Sequence, residues 1–424
     1  MARPATLCAL LLALSPWLLA GCGAGSQSHG EAVTITNTAA VSAAARSCPA
    51  ASQEAIEAVA HRVYQESATG RIVVQALERL KDSGALTRAV EADDRTATRR
   101  ALRELLLNQI VSVRVTRNGR TLARIERGFG IAPSSEPLVG AYGRTVGQVT
   151  VSVQGANGYA QTLKGLLHAQ VVVGGRRGDV IATLDPAPKL AAGAREAAYG
   201  GVRYRVDTFA ATGFPDQALR VSLLTPTSAI AAVCAEHGAT AAQAEADTLG
   251  LVAERVYYAE HEGSKAELLR RYVERSRPFR EAVLAGNAKA TRAAIIAFFR
   301  THLHIVRVRV IRGGKLLIDV GGPHVLAPIP GVIRDARGQV VAHFLLAIQD
   351  DLGFQILSRA FTGAQVVMRK GSREVMGSLR PGPASIPARG RVVYRGSAYQ
   401  AYSFMARAFP SGPLRISLLY AVGE

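Results

Sequence analysis

Two hydrophobic periods alternate along this chain. Between residues 240 and 262 apolar side chains recur at helical spacing, with Leu249, Val252, Val256 and Ala259 on one face and no proline intervening. The same spacing predicts helices over 265–276 and 288–302, the second carrying Ile295, Ile296, Phe298 and Phe299, with Pro278 opening a turn region between them. From residue 306 the period falls to two. Val306, Val308 and Val310 alternate with Arg307, Arg309 and Ile311, Gly313-Gly314 marks a turn, and 315–320 returns, which predicts a β-hairpin. A Pro/Gly-rich connection (321–331) leads to a long apolar strand at 340–348 and the turn Gln349-Asp350-Asp351. A short helix at 353–361 and strands at 364–369, 374–379, 398–406 and 414–421 follow. Helices followed by antiparallel strands predict an α+β fold, with a five- to six-stranded sheet packed by one face on the long helices.

This pattern occurs twice. From Ile110 to Leu224 every position can be laid without a gap on the residue 195 further on, and about a third of the pairs are identical. IVSVRVTRNGRTL (110–122) lies on IVRVRVIRGGKLL (305–317), and TFAATGFPDQALRVSLL (208–224) lies on SFMARAFPSGPLRISLL (403–419). Upstream, AHRVYQ (60–65) matches AERVYY (253–258) at a slightly changed offset. Two copies of one domain, over 48–226 and 234–424, explain the length better than one core, since single cores stop growing near 250–300 residues.

The N-terminus predicts an exported protein. Residues 1–22 hold one Arg, an apolar run of signal-peptide length and then Leu19-Ala20-Gly21-Cys22, a tetrapeptide that resembles the lipobox of bacterial lipoproteins. That resemblance implies lipidation of Cys22, cleavage before it, and anchoring of an extracytoplasmic protein to the cell membrane. Residues 23–47, rich in Gly, Ser, Ala and Thr, read as a flexible tether. A net charge of +19 draws such a protein to anionic head groups or acidic wall polymers. Export and an aromatic content of 6% argue against nucleic acid as the partner. Of four cysteines, Cys8 and Cys22 belong to the leader, while Cys48 and Cys234 stand at corresponding starts of the copies. They admit one disulfide, the alternative being two buried thiols.

Residues 338–379, GQVVAHFLLAIQDDLGFQILSRAFTGAQVVMRKGSREVMGSL, resemble the second half of a Cache domain, the extracytoplasmic PAS-like sensor module of bacterial receptors. Residues 143–184 are a weaker version of the same arrangement. The resemblance lies in strand order and apolar pattern. It implies two tandem Cache-like units, each with a small-molecule pocket between the outer face of the sheet and a covering loop, filled by an organic acid or an amino-acid-like metabolite. Members of that family continue through a membrane helix into an output domain. No such segment follows residue 420, so a separate transmembrane signalling partner is expected.

In the first hairpin strand of each copy the valines are expected to pack on the long helix, which turns Arg114, and Arg307 with Arg309, toward the pocket. Two arginines one pleat apart can grip a carboxylate. Tyr204 and its counterpart Tyr399, with Ser403, are further ligand-binding candidates from the returning strands. His302, His304, His324 and His343 are scattered and predict no metal site, and no cofactor is implied. The chain carries no G-x-S-x-G elbow, H-E-x-x-H helix or Walker loop, so it is not expected to be an enzyme. Arg177-Gly178-Asp179 reads as a hairpin turn before it reads as an adhesion tripeptide. The expectation is a lipid-anchored small-molecule sensor, the second copy being the better candidate binder. The alternative is a non-catalytic envelope scaffold or adhesion lipoprotein that binds protein or wall polymer.

Overall fold

The computed structural model describes residues 46–106, 110–175, 180–191, 193–235, 240–301, 305–322 and 325–422. The leader, the lipobox Cys22, most of the tether, Arg177-Gly178-Asp179, His302, His304 and His324 lie outside them. The first half runs α1 (Cys48–Thr69), α2 (Arg71–Lys81), α3 (Gly84–Glu91), α4 (Arg95–Leu105), β1 (Ser112–Arg117), β2 (Arg120–Glu126), β3 (Gly130–Ile131), β4 (Ser134–Val139) and β5 (Thr145–Ser152). It continues through β6 (Gln154–Gly155), α5 (Ala156–Leu167), β7 (Gln170–Gly175), β8 (Val180–Ala182), β9 (Glu196–Tyr199), β10 (Val202–Gly213) and β11 (Gln217–Pro226). A short α6 (Thr227–Ala235) leads into the second half.

The second half runs α7 (Ala241–Glu262), α8 (Ser264–Arg275), α9 (Arg277–Leu284), α10 (Ala288–Thr301), β12 (Arg307–Arg312), β13 (Lys315–Gly321), β14 (Val325–Leu326), β15 (Ile329–Arg334) and β16 (Val340–Ala347). Then come β17 (Gln349–Asp350), α11 (Asp351–Thr362), β18 (Gln365–Lys370), β19 (Arg373–Gly377), β20 (Arg389–Tyr394), β21 (Ser397–Ala406), β22 (Ala408–Phe409) and β23 (Leu414–Ala421). The fold class is α+β with antiparallel sheets.

The long helices start and stop for local reasons. The Ser47 hydroxyl accepts from the Ala50 amide at 3.4 Å to open α1, and Thr240 does the same for Gln243 at 3.2 Å to open α7. Each ends on a glycine, Gly70 or Gly263, where a Cβ would lie within 2.4 Å of the carbonyl oxygen four residues back. Pro278 does not interrupt the chain as expected. It sits in the first turn of α9, where a missing N–H costs nothing. The connection after residue 321 likewise contains strands, β14 and β15.

The single five- to six-stranded sheet expected in each copy is divided between two places. β2-β1-β5-β4 form a four-stranded sheet covered by α2–α4, and β13-β12-β16-β15 form its counterpart under α8–α10. Val113 and Val115, like Val308 and Val310, therefore pack on these short helices and not on the long ones. The remaining strands of the first half join as β6-β3-β10-β11-β7-β8, with β9 on β10; those of the second form β19-β18-β23-β21-β20 and the small β17-β14-β22.

The long helices lie against each other. Ala55, Ile56, Val59, Ala60 and Val63 of α1 and Ala246, Leu249, Val252, Ala253 and Val256 of α7 share one core with the inner faces of both larger sheets. Small side chains on both helices permit that close approach. Contacts across the halves come in matched pairs. Arg62 Nη1 donates to the Phe361 carbonyl at the end of α11 (3.5 Å), and Arg255 Nη1 donates to the Leu166 carbonyl at the end of α5 (2.8 Å). Each guanidinium thus serves a carbonyl that the helix end leaves unpaired. Cys48 and Cys234 are disulfide-linked, with Cα atoms 5.8 Å apart, which ties the start of α1 to α6. No described helix is long and apolar enough to cross a membrane.

Candidate functional site

Four charged side chains converge on a cavity at the edge of β10. In that strand Tyr204 and Val206 turn to the outer face of the sheet, where Leu184, Leu190 and Ala197 cover them, while Phe209 and Ala211 turn to the central core. By the same alternation Asp207 points inward, toward α1. Gln53 Nε2, on the buried face of α1, donates to Asp207 Oδ2. Gln53, Glu57, Arg195, Arg205, Asp207 and Thr208 then line a cavity of about 420 Å³. Burial, and secondarily the negative charge of Glu57, raise the Asp207 carboxyl to about 6, against the opposing pull of Arg205 and Arg195. Two guanidinium groups and two carboxylates, one of them titrating near neutrality, suit a ligand that carries both signs of charge.

The corresponding place in the second half is filled. Asp207 is replaced by Tyr402, whose ring lies against Gly250, at the position of Glu57; a Cβ on Gly250 would come within 2.1 Å of that ring. The Arg389 guanidinium stacks on the ring, 3.4 Å from its centroid, and pairs with Asp247 at 2.8 Å. The Tyr402 hydroxyl donates to Glu254 at 2.5 Å.

The residues singled out from the sequence are dispersed. Arg307 is bound to the neighbouring strand: Nε and Nη2 reach the Asp319 carboxylate at 2.7 and 2.8 Å, a bidentate pair with both side chains largely buried. It also donates to the Gly322 carbonyl and lies over the Phe409 ring. Arg309 lies 3.9 Å from the same carboxylate, and Arg114 lies 3.9 Å from Asp216. Tyr204 is buried beneath the segment before β9, and Tyr399 packs with Leu379 and Ile386 on the equivalent face of the second half. The Ser403 hydroxyl donates to the Pro387 carbonyl at 3.1 Å and is 2.9 Å from Ser417 Oγ. None of these six side chains lines the groove, and Gln53, Glu57, Arg195, Arg205 and Asp207, which do, are not among the candidates the sequence offers. The one signal for them was an acid at 207 where the aligned strand has a tyrosine. Among the described residues no group of three His, Cys, Asp or Glu side chains is placed to hold a metal.

The fold and groove together define an α+β protein with a charged cavity at a sheet edge. No family model matches the sequence, and no curated protein matches it. Among solved structures, 42% of this chain superposes on 40% of an extracellular ligand binding receptor from Desulfohalobium retbaense DSM5692, with 10% identity and a TM-score of 0.26. The chain thus spans less than half the length of that receptor.

Proposed function

We propose that this protein is a non-catalytic, lipid-anchored binding protein of the cell envelope, and that the first of two Cache-like copies takes a small zwitterionic ligand at the β10 edge. The observation that carries this is the convergence of Arg195, Arg205, Glu57 and Asp207 on one cavity of about 420 Å³. A ligand carboxylate would meet the guanidinium groups and an ammonium the two acids, which favours an amino-acid-like molecule over a plain organic acid. The first copy, not the second, is the binder in this reading, since Tyr402 and Arg389 fill the equivalent volume. The expected lipid at Cys22 would hold the protein outside the membrane, with a transmembrane partner to receive the bound state. The scaffold reading keeps its support in the second copy, where the outer face is packed with Ile386, Leu379 and Tyr399.

Thermal unfolding against a panel of amino acids and small carboxylic acids tests this. A ligand at a hundredfold excess over its Kd raises stability by about 2.7 kcal/mol, and Arg205→Ala should abolish the shift. A cooperative transition that no compound moves would overturn the proposal.

A further inference from the structure

β10 is a sheet edge for part of its length. β9 covers it as far as Arg205, which faces Glu196, and the Val206 amide then donates to the Arg195 carbonyl at 2.8 Å. At the far end the Thr212 amide donates to Tyr64 Oη and its carbonyl accepts from the Ala132 amide, both at 2.9 Å. Backbone groups alternate sides along a strand, so those of Thr208 and Ala210 point the same way as those of Val206 and Thr212. Among the described residues nothing pairs with them on that side. The gap from Val206 to Thr212 is about 20 Å at 3.3 Å per residue, room for roughly three residues of added strand between the two existing bonds. Residues 207–211 include neither the proline nor the lysine that commonly blunts an edge.

Space lies on both faces of this edge. The charged cavity is on the α1 side, and a second of about 720 Å³, lined by Gly174, Thr208, Ala210, Ala218 and Arg220, lies on the outer face; the two share Gly193 and Thr208. The second half has the same edge already occupied. Ser403 stands where Thr208 does; its amide donates to the Ala388 carbonyl at 2.9 Å, and its own carbonyl accepts from Arg389 Nη1 at 3.0 Å. There a segment of the chain itself, residues 387–389, lies along the edge that no described residue pairs with in the first half.

We infer that the open edge takes a short extended peptide, which pairs with Thr208 and Ala210 through its main chain and sends alternate side chains into the charged cavity and the outer groove. This rests on the groove being a binding site and names the ligand it takes. Specificity would come from the flanking residues, which meet Asp207, Glu57, Arg195 and Arg205, and affinity from the backbone.

Calorimetric titration of the whole protein with Ala-Ala-Ala, Lys-Leu-Lys and Glu-Leu-Glu tests it, each peptide also N-methylated at residue 2 or residue 3, alongside free Ala, Leu, Lys and Glu. One tripeptide should bind, and one of its two N-methyl forms should bind about tenfold more weakly, the loss of one hydrogen bond. Ala210→Pro should weaken the same peptide comparably and leave the unliganded unfolding temperature unchanged, because that N–H, like those of Val206 and Thr212, points away from β11. If that variant misfolds, the N-methyl comparison decides. Equal binding of both methylated forms, or a free amino acid binding as tightly as the tripeptide, would overturn the peptide and leave the groove standing. Silence from every probe, with a cooperative unfolding transition, would overturn both.

Discussion

Replacing Cys48 and Cys234 by serine should lower stability by an amount that follows from chain length. The bridge closes a loop with a sequence separation of 186. The entropy removed from the unfolded chain by closing such a loop is worth about 5 kcal/mol at 25 °C. The native side of the balance changes little, because α1 and α7 are already held together by a shared apolar core. At about 2.1 cal/mol/K per residue, a folded body of about 380 residues unfolds with an entropy near 0.8 kcal/mol/K, so the melting temperature should fall by roughly 6 °C. Differential scanning calorimetry of the Cys48→Ser/Cys234→Ser protein against the oxidised parent measures this directly. A change under a degree would mean that the unfolded chain gains no freedom from losing the bridge, and the entropic reasoning fails. A fall far beyond 6 °C, with loss of cooperativity, would mean that the bridge supports α6 and the helix pair in the native state.

Further outcomes follow from single contacts. Gly250→Ala places a methyl against the Tyr402 ring and should cost about 2 kcal/mol in urea unfolding, net of the roughly 1 kcal/mol an unobstructed helix would gain; a stabilised variant would refute that packing. Asp319→Asn leaves the Arg307 guanidinium without its bidentate partner and should cost roughly 2 to 4 kcal/mol by the same assay, while a loss of ligand binding with unchanged stability would return Arg307 to a binding role. The Asp207 carboxyl, at about 6 in the folded protein, binds its proton more tightly there than in the unfolded chain, whose value is near 3.8. It therefore subtracts stability progressively as pH rises from about 4 to 6, and the deficit persists above. Asp207→Asn should melt above the parent at pH 7.5, with the gap closing by pH 4; a gap independent of pH would refute the assignment.

The helices and main strands were legible because their apolar periods run long enough to be unambiguous, as in α7 and β16. The two-residue strands β3, β6, β14 and β17 were not, since two residues carry no period, yet they carry the chain from the four-stranded sheets into the central ones. Arg307 was misread because its environment is set across the hairpin. A bulge between Val310 and Ile311 shifts the register so that Arg309 faces Asp319, with Arg307 two pairs further along on the same face. The groove was illegible for a different reason: Gln53, Arg195 and Asp207 come from a helix, a loop and a strand that only the tertiary fold assembles.

Within each half Tyr64 or Tyr257 meets the backbone of Thr212 or Arg407, and where the two halves meet Arg62 and Arg255 serve the opposite helix ends. There a change in one half would disturb the other through the common core. At the β10 edge and its counterpart the halves are built differently. One half places an aromatic ring on a glycine, stacks a guanidinium on it and covers the strand edge with its own backbone. The other buries Asp207 beside Glu57, so that burial first and the like charge second push its carboxyl up to about 6, and among the described residues nothing pairs with the backbone of Thr208 and Ala210 on the open side. The same fold demonstrates that the position can be closed without that cost. A protein that retains the costlier arrangement gives up stability at that point, as functional sites do, and a ligand with a charged group and a backbone of its own would recover it.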